Sequence, residues 1–237
     1  MKIQSTKTLK DKPIYSMYYG VSGIGKTSLS KTIPGRILIL DAESGLASLK
    51  NQEGNSIDFI SLNNNDEGQH ITEGKRFDRL KEFMAFVQLP ETKAAYDVLF
   101  VDSLTEISQT VQKHMKEIHG ADGFKVWGEY TAAMVDFIKF FRDLDHYHVV
   151  FTALEERIDP EEGTAFFFPA IGGKKIKEYL MPCFDEVYRM IVDENKARLF
   201  VTQPTAKTQA KNRLGGLAEI EKANVGDVWK KIRGENK

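Results

Sequence analysis

Apolar runs of strand length recur along the chain: I-Y-S-M-Y-Y at 14–19, I-L-I-L at 37–40, V-L-F-V at 98–101 and V-V-F-T-A-L at 149–154. Each is continuous rather than alternating, the pattern of a strand covered on both faces in a parallel sheet. S-I-D-F-I-S-L at 56–62 predicts a further strand. Between these runs the period changes. Phe77, Leu80, Phe83, Met84 and Val87 form one helical stripe, predicting a helix over 77–88, and helices are also predicted over 104–118 and 130–144. Shorter helical segments are expected at 28–33, stopped by Pro34-Gly35, and at 44–50. Strands alternating with helices predict an α/β fold with a mostly parallel central sheet flanked by helices.

Toward the C-terminus the pattern alternates. F-D-E-V-Y-R-M-I-V at 184–192 and A-R-L-F-V-T at 197–202, joined by D-E-N-K, predict two antiparallel strands that extend the sheet. Residues 218–237 are charged, with Val225, Val228, Trp229 and Ile232 on one helical face. Three stretches lack a period: 63–76, the glycine-containing G-A-D-G-F-K-V-W-G at 120–128, and 155–175. The expected layout is a lead-in over 1–13, a core over 14–215 and a helical tail over 216–237.

Composition adds bounds. The 237 residues, 41% hydrophobic and 28% charged, suffice for one large domain. No signal-peptide core and no eighteen-residue apolar run is present, so a cytoplasmic location and no membrane partner are expected. Cys183 is the only cysteine, which excludes an intrachain disulfide and a cysteine-cluster metal site. The net charge of −1 argues against indiscriminate nucleic-acid binding. Its distribution is uneven: residues 172–237 carry 14 Lys/Arg against 9 Asp/Glu, and the rest 19 against 25. That basic C-terminal third suits a phosphate backbone, a subunit contact or a solvated surface.

The chemistry starts where the first apolar run ends. Gly20, Val21, Ser22, Gly23, Ile24, Gly25, Lys26 and Thr27 match G-x-x-x-x-G-K-[ST], with Ser28 opening the next segment. Glycines let the backbone fold around a polyphosphate with its N–H groups inward, Lys26 meets the β- and γ-phosphates, and Thr27 supplies a hydroxyl for Mg²⁺. ATP and Mg²⁺ are therefore the expected ligands. Two further runs end in acids: Asp41 and Glu43 after 37–40, and Asp102 after 98–101. In open α/β sheets ligands bind at the carboxyl ends of strands, and an acid after a buried strand, following such a loop, is placed to position Mg²⁺ together with Thr27. Ser103, next to Asp102, and Thr152, on the last central strand, are expected sensors of the γ-phosphate. Phe166, Phe167 and Phe168 in extended geometry put an aromatic ring on each face, available for stacking on bases, on another subunit or on the core.

With these pieces assembled, the chain resembles the RecA superfamily of P-loop ATPases. The likeness rests on the loop 20–27, on L-D-A-E ending at Glu43, on V-L-F-V-D-S ending at Ser103, and on A-K-N-R-L-G at 210–215. The resemblance implies a RecA-like core in which Glu43 polarises the attacking water. Lys26 and Asp102 complete the catalytic set, and Lys211 and Arg213 act in trans on a neighbour's ATP. Lys177 is a further trans candidate. Lys174 and Lys175 join the three phenylalanines as DNA-binding candidates. The compact core is similar to phage-encoded minimal RecA-like recombinases of the Sak single-strand annealing group. The function implied is a Mg²⁺-dependent ATPase acting on single-stranded DNA in recombination or annealing. Its implied partners are single-stranded DNA, further copies in a head-to-tail oligomer or filament, and a single-strand binding protein. The family's glutamine after the fourth strand is missing, since 152–156 reads T-A-L-E-E. A nucleotide-dependent assembly or loading factor acting on a protein partner is the alternative, and a small-molecule kinase a distant third.

Overall fold

The structure, a computed structural model, describes residues 12–50, 57–159 and 164–235, apart from the side chain of Lys174. The lead-in at 1–11 lies outside the described residues. The strands are β1 Tyr15–Gly20, β2 Ile37–Asp41, β3 Ile57–Ser61, β4 Val98–Asp102, β5 His148–Ile158, β6 Phe166–Pro169, β7 Glu186–Val192, β8 Arg198–Val201, β9 Lys211–Asn212 and β10 Ile220–Lys222. The helices are α1 Glu73–Phe86, α2 Pro90–Ala95, α3 Leu104–His119, α4 Gly123–Arg142, α5 Lys174–Cys183 and α6 Val225–Ile232.

One sheet runs in the order β10-β8-β7-β1-β5-β4-β2-β3, with β6 against β5 and β9 against β7. From β7 to β3 every neighbouring pair is parallel; β8, β10, β6 and β9 join antiparallel. The predicted α/β class, parallel centre and antiparallel C-terminal extension are all present.

The continuous apolar runs have the expected cause: both faces of the sheet are covered. Tyr15, Met17, Tyr19, Leu38, Leu40, Leu99, Val101, Val149 and Phe151 point to one face, where α1, α3, α4 and α5 pack. Tyr18, Ile37, Ile39, Val98, Phe100, Val150, Tyr188 and Phe200 point to the other, under Leu29, Ile33 and α6. Phe151 is the aromatic hub of the first face, with its ring 5.5 to 6.1 Å from those of Tyr15, Phe137, Phe141 and Phe184.

Several elements differ from their expected form. Helix α4 begins at Gly123, not at 130: Asp122 accepts the Lys125 N–H at 3.1 Å as an N-cap, and Val126 extends the buried stripe one turn earlier. Residues Lys174–Cys183 form α5 on the i, i+4 pair Ile176 and Leu180, where a loop was expected as far as 175. Strand β5 continues to Ile158 and pairs with β6 as a projecting hairpin. The segments 27–32 and 46–49 are 3₁₀ rather than α-helix. The expected tail opens as β10 in the sheet before it becomes α6, whose Val225, Val228 and Trp229 are buried in the second core. Val225 N–H bonds the Thr32 hydroxyl at 2.9 Å, and a Cβ on Gly226 would stand 2.6 Å from the Thr32 carbonyl.

Candidate functional site

Strands β1, β2, β4 and β5 are parallel, so their carboxyl ends lie along one rim, and the residues singled out there converge. The loop leaves β1 at Gly20 and turns through Gly23 (φ 76°) and Gly25 (φ 102°), conformations that a residue with a Cβ adopts only under strain. Lys26 is buried, and its Nζ donates to the carbonyls of Gly20 at 3.2 Å and Val21 at 3.0 Å. Burial lowers its pKa, an effect opposed by the nearby charges of Glu43, Asp102 and Glu155. Val21, Ser22 and Gly23 are exposed at the mouth, and Ser28 is half-buried behind Thr27.

Opposite the loop, the Thr27 hydroxyl donates to Asp102 Oδ2 at 2.5 Å, and the Thr152 hydroxyl donates to Asp102 Oδ1. Asp102 is wholly buried; burial raises its pKa, while the two hydroxyl bonds and Lys26 work against that rise. A carboxylate held by hydroxyls rather than by a bonded cation calls for positive charge, so the residues present fit a divalent ion. Thr27 and Asp102 would hold Mg²⁺. Among the described residues no cluster of three acidic, His or Cys ligands forms a metal cage.

Asp41 and Asp102 stand side by side in the β2–β4 register. The two acids after β2 part roles. Asp41 is buried and accepts the Ser44 N–H at 2.8 Å, and burial raises its pKa, so it shapes the turn. Glu43 is exposed, and a Cβ built on the neighbouring Gly45 would lie 3.8 Å from Glu43 Cβ and 4.0 Å from Thr27 Oγ1. Glu43 therefore opens to solvent beside the Thr27–Asp102 pair.

Most of the other residues singled out have partners within the chain. Ser103 is buried and caps α3, accepting the Glu106 N–H at 3.4 Å, as the S-x-x-E spacing of a capping box provides. Thr152 faces Asp102 and orients that carboxylate, so it reaches the ligand only through it. The three phenylalanines are covered to different extents: Phe168 is buried, Phe166 is half-buried against the core, and Phe167 is half-buried with Arg189 over its ring, 3.5 Å from ring centroid to guanidinium carbon. Lys177 pairs with Glu156. Lys211 donates to the carbonyls of Met181 at 2.9 Å and Phe184 at 2.7 Å, and Arg213 bonds Asp185 and the Pro182 carbonyl, both at 2.8 Å. These two close the end of α5 within their own chain, because unpaired C-terminal carbonyls attract cations. Lys175 is exposed on α5, and the side chain of Lys174 lies outside the described residues.

Sequence reasoning missed two features here. Glu155, in β5 just past its pairing with β1, is within electrostatic range of Lys26 and is paired with Arg189 at 3.0 Å. Phe124 is 91% exposed and Trp127 42% exposed on the first turns of α4, beside Lys125 and against Gly173 at the start of α5. The signal for the second is present in F-K-V-W, within the glycine-containing stretch at 120–128.

A family model described as an AAA domain matches residues 12–214. No curated protein matches the chain. Among the described residues no helix is long and apolar enough to cross a membrane.

Proposed function

The chain belongs to the AAA domain family of P-loop ATPases, and from that premise we propose that it is a Mg²⁺-dependent ATPase of RecA-like type acting on single-stranded DNA in recombination or annealing. The observation that carries the nucleotide half is the Thr27–Asp102 contact across the mouth of the phosphate loop. The loop amides and Lys26 bind the β- and γ-phosphates, Lys26 exchanging the carbonyls of Gly20 and Val21 for phosphate oxygens. Mg²⁺ bound at Thr27 and Asp102 supplies neutralisation of the charge that builds on the phosphate oxygens. Thr152 keeps Asp102 aimed, and Glu43 orients a water and accepts its proton.

The DNA half rests on α4. Phe124 and Trp127 are exposed aromatic rings flanking Lys125, with the exposed Lys175 two residues beyond the Gly173 that Trp127 packs against, a combination that stacks bases and meets phosphates. Stacking is worth about 1–3 kcal/mol per base, and this face replaces Phe166–Phe168 as the proposed surface. Head-to-tail self-association belongs to the same proposal. Glu43 and the loop mouth are open, while Lys211 and Arg213 stand at the opposite end of the sheet, beside Asp185 and the start of β7, where a neighbour would present them.

The test is a gel-shift titration of single-stranded DNA with and without a non-hydrolysable ATP analogue, repeated over salt, on the wild type and a Phe124→Ala/Trp127→Ala variant. Nucleotide-dependent, salt-sensitive binding lost in the variant is expected. A wild type that binds nucleotide but no DNA under any condition overturns the DNA half and moves the reading to a loading factor for a protein partner.

A further inference from the structure

One cation beside the phosphate loop has no assigned task. Arg198, itself exposed, opens β8, and its Nε donates to the Ile24 carbonyl at 2.6 Å. A Cβ built on Gly25 would meet that Nε at 3.0 Å and the guanidinium carbon at 3.5 Å, so the guanidinium lies against the glycine that precedes Lys26. Among the described residues no carboxylate lies within ion-pair range of it, in contrast to Arg189 with Glu155 and Lys177 with Glu156. A guanidinium carries five donors. One is spent on the loop, and the η-nitrogens remain beside an anion site, with no acid to neutralise them.

We propose that Arg198 is a cis-acting phosphate contact of the nucleotide site: with Nε kept on the Ile24 carbonyl, its η-nitrogens donate to the phosphates that ATP and ADP share. This rests on the nucleotide reading above. The choice of phosphates follows from sheet order. Strand β8 lies on the β7 side of β1, whereas β5, β4 and β2, which bring Thr152, Asp102 and Glu43, lie on the other. Arg198 therefore approaches from the side away from the metal-holding pair and the water-orienting acid, and it does not read the γ-phosphate. The Gly25 position also acquires a second reason to lack a side chain. Besides its positive φ, it leaves the space in which the guanidinium rests.

The experiment is equilibrium binding of fluorescent ADP and of a fluorescent non-hydrolysable ATP analogue to the full chain, over a salt series, with ligand-free melting recorded for each variant. Arg198→Ala is expected to weaken both nucleotides by the same factor, about tenfold to a hundredfold, the usual worth of charge-assisted hydrogen bonds. Arg198→Lys should recover part of that loss. Arg198→Gln, which can still reach the Ile24 carbonyl but carries no charge, should behave like alanine and flatten the salt dependence. Wild-type affinity in Arg198→Ala, loss confined to the triphosphate, or full rescue by glutamine overturns the proposal. A Lys26→Ala control separates the two layers: if the wild type binds neither nucleotide, or if Lys26→Ala binds as well as wild type, the nucleotide reading fails and this inference with it. If Lys26→Ala abolishes binding and Arg198→Ala does not weaken it, only the inference fails.

Discussion

Glu186 provides a stability test with a worked sign and size. It lies in β7, fully buried, where Oε1 accepts the Leu214 N–H at 2.8 Å and Oε2 accepts the Tyr188 hydroxyl. Burial pushes its pKa from the ordinary 4.5 up to about 7, more than those hydrogen bonds pull it down. A carboxyl whose folded pKa is raised holds its proton longer in the native state than in the unfolded chain. Its contribution to stability is full below pH 4.5 and is lost as pH rises to about 7. At 1.36 kcal/mol per unit the loss is roughly 3 kcal/mol across that window. His148 runs the other way: burial pushes its pKa from 6.5 down to about 4, so its contribution is present above 6.5 and fades as pH falls through 4. The two slopes oppose one another in the wild type, and a bare stability curve would hide both. Glu186→Gln isolates the first. Urea unfolding of wild type and variant at intervals from pH 4 to 8 should give a difference in unfolding free energy that shifts by about 3 kcal/mol in favour of the variant over the window and is level above it. Parallel curves would refute the reasoning, because they would mean that Glu186 titrates alike in the folded and unfolded chain.

Three further outcomes follow from the site and the core. Glu43→Gln should keep nucleotide affinity within about twofold and lower single-turnover hydrolysis by about 10² or more, the usual range for a lost general base; unchanged hydrolysis would remove Glu43 from the mechanism. Thr152→Val removes one of the two hydroxyls on Asp102 and should weaken Mg²⁺-dependent nucleotide binding by about tenfold with little effect on binding without the metal, while Thr152→Ser retains it; equal losses with and without Mg²⁺ would contradict the positioning role. Phe151→Ala should cost about 3–5 kcal/mol in chemical unfolding, since it empties the centre of a cluster of four rings.

Legibility in the sequence followed physical locality. The parallel strands were readable because burial on both faces forces an unbroken apolar run, and the phosphate loop because backbone geometry forces glycine and chemistry forces Lys26 and Thr27. Asp102 could be read because it follows such a run. Helix α4 was cut short because Gly123 and Gly128 looked like loop punctuation, although Asp122 and Val126 carried the cap and the stripe. What no local pattern shows is pairing between distant segments. Ser103 as a cap, Thr152 as a prop for Asp102, and Lys211 and Arg213 on the end of α5 depend on neighbours 30 to 50 residues away, or on a capping spacing competing with a catalytic one. Arg198 is the extreme case: its partner Ile24 is 174 positions distant, and in sequence it is simply a basic residue after a turn.

The bond from Val225 to the Thr32 hydroxyl, with Gly226 pressed against the Thr32 carbonyl, has a mechanical meaning. The short 3₁₀ segment that leaves the phosphate loop is too brief to stiffen itself, so its far end is clamped by the N-terminus of the final helix. Helix α6 therefore braces the far end of that segment through one hydroxyl, one glycine and the apolar cluster that Val225, Val228 and Trp229 form with Leu29 and Ile33.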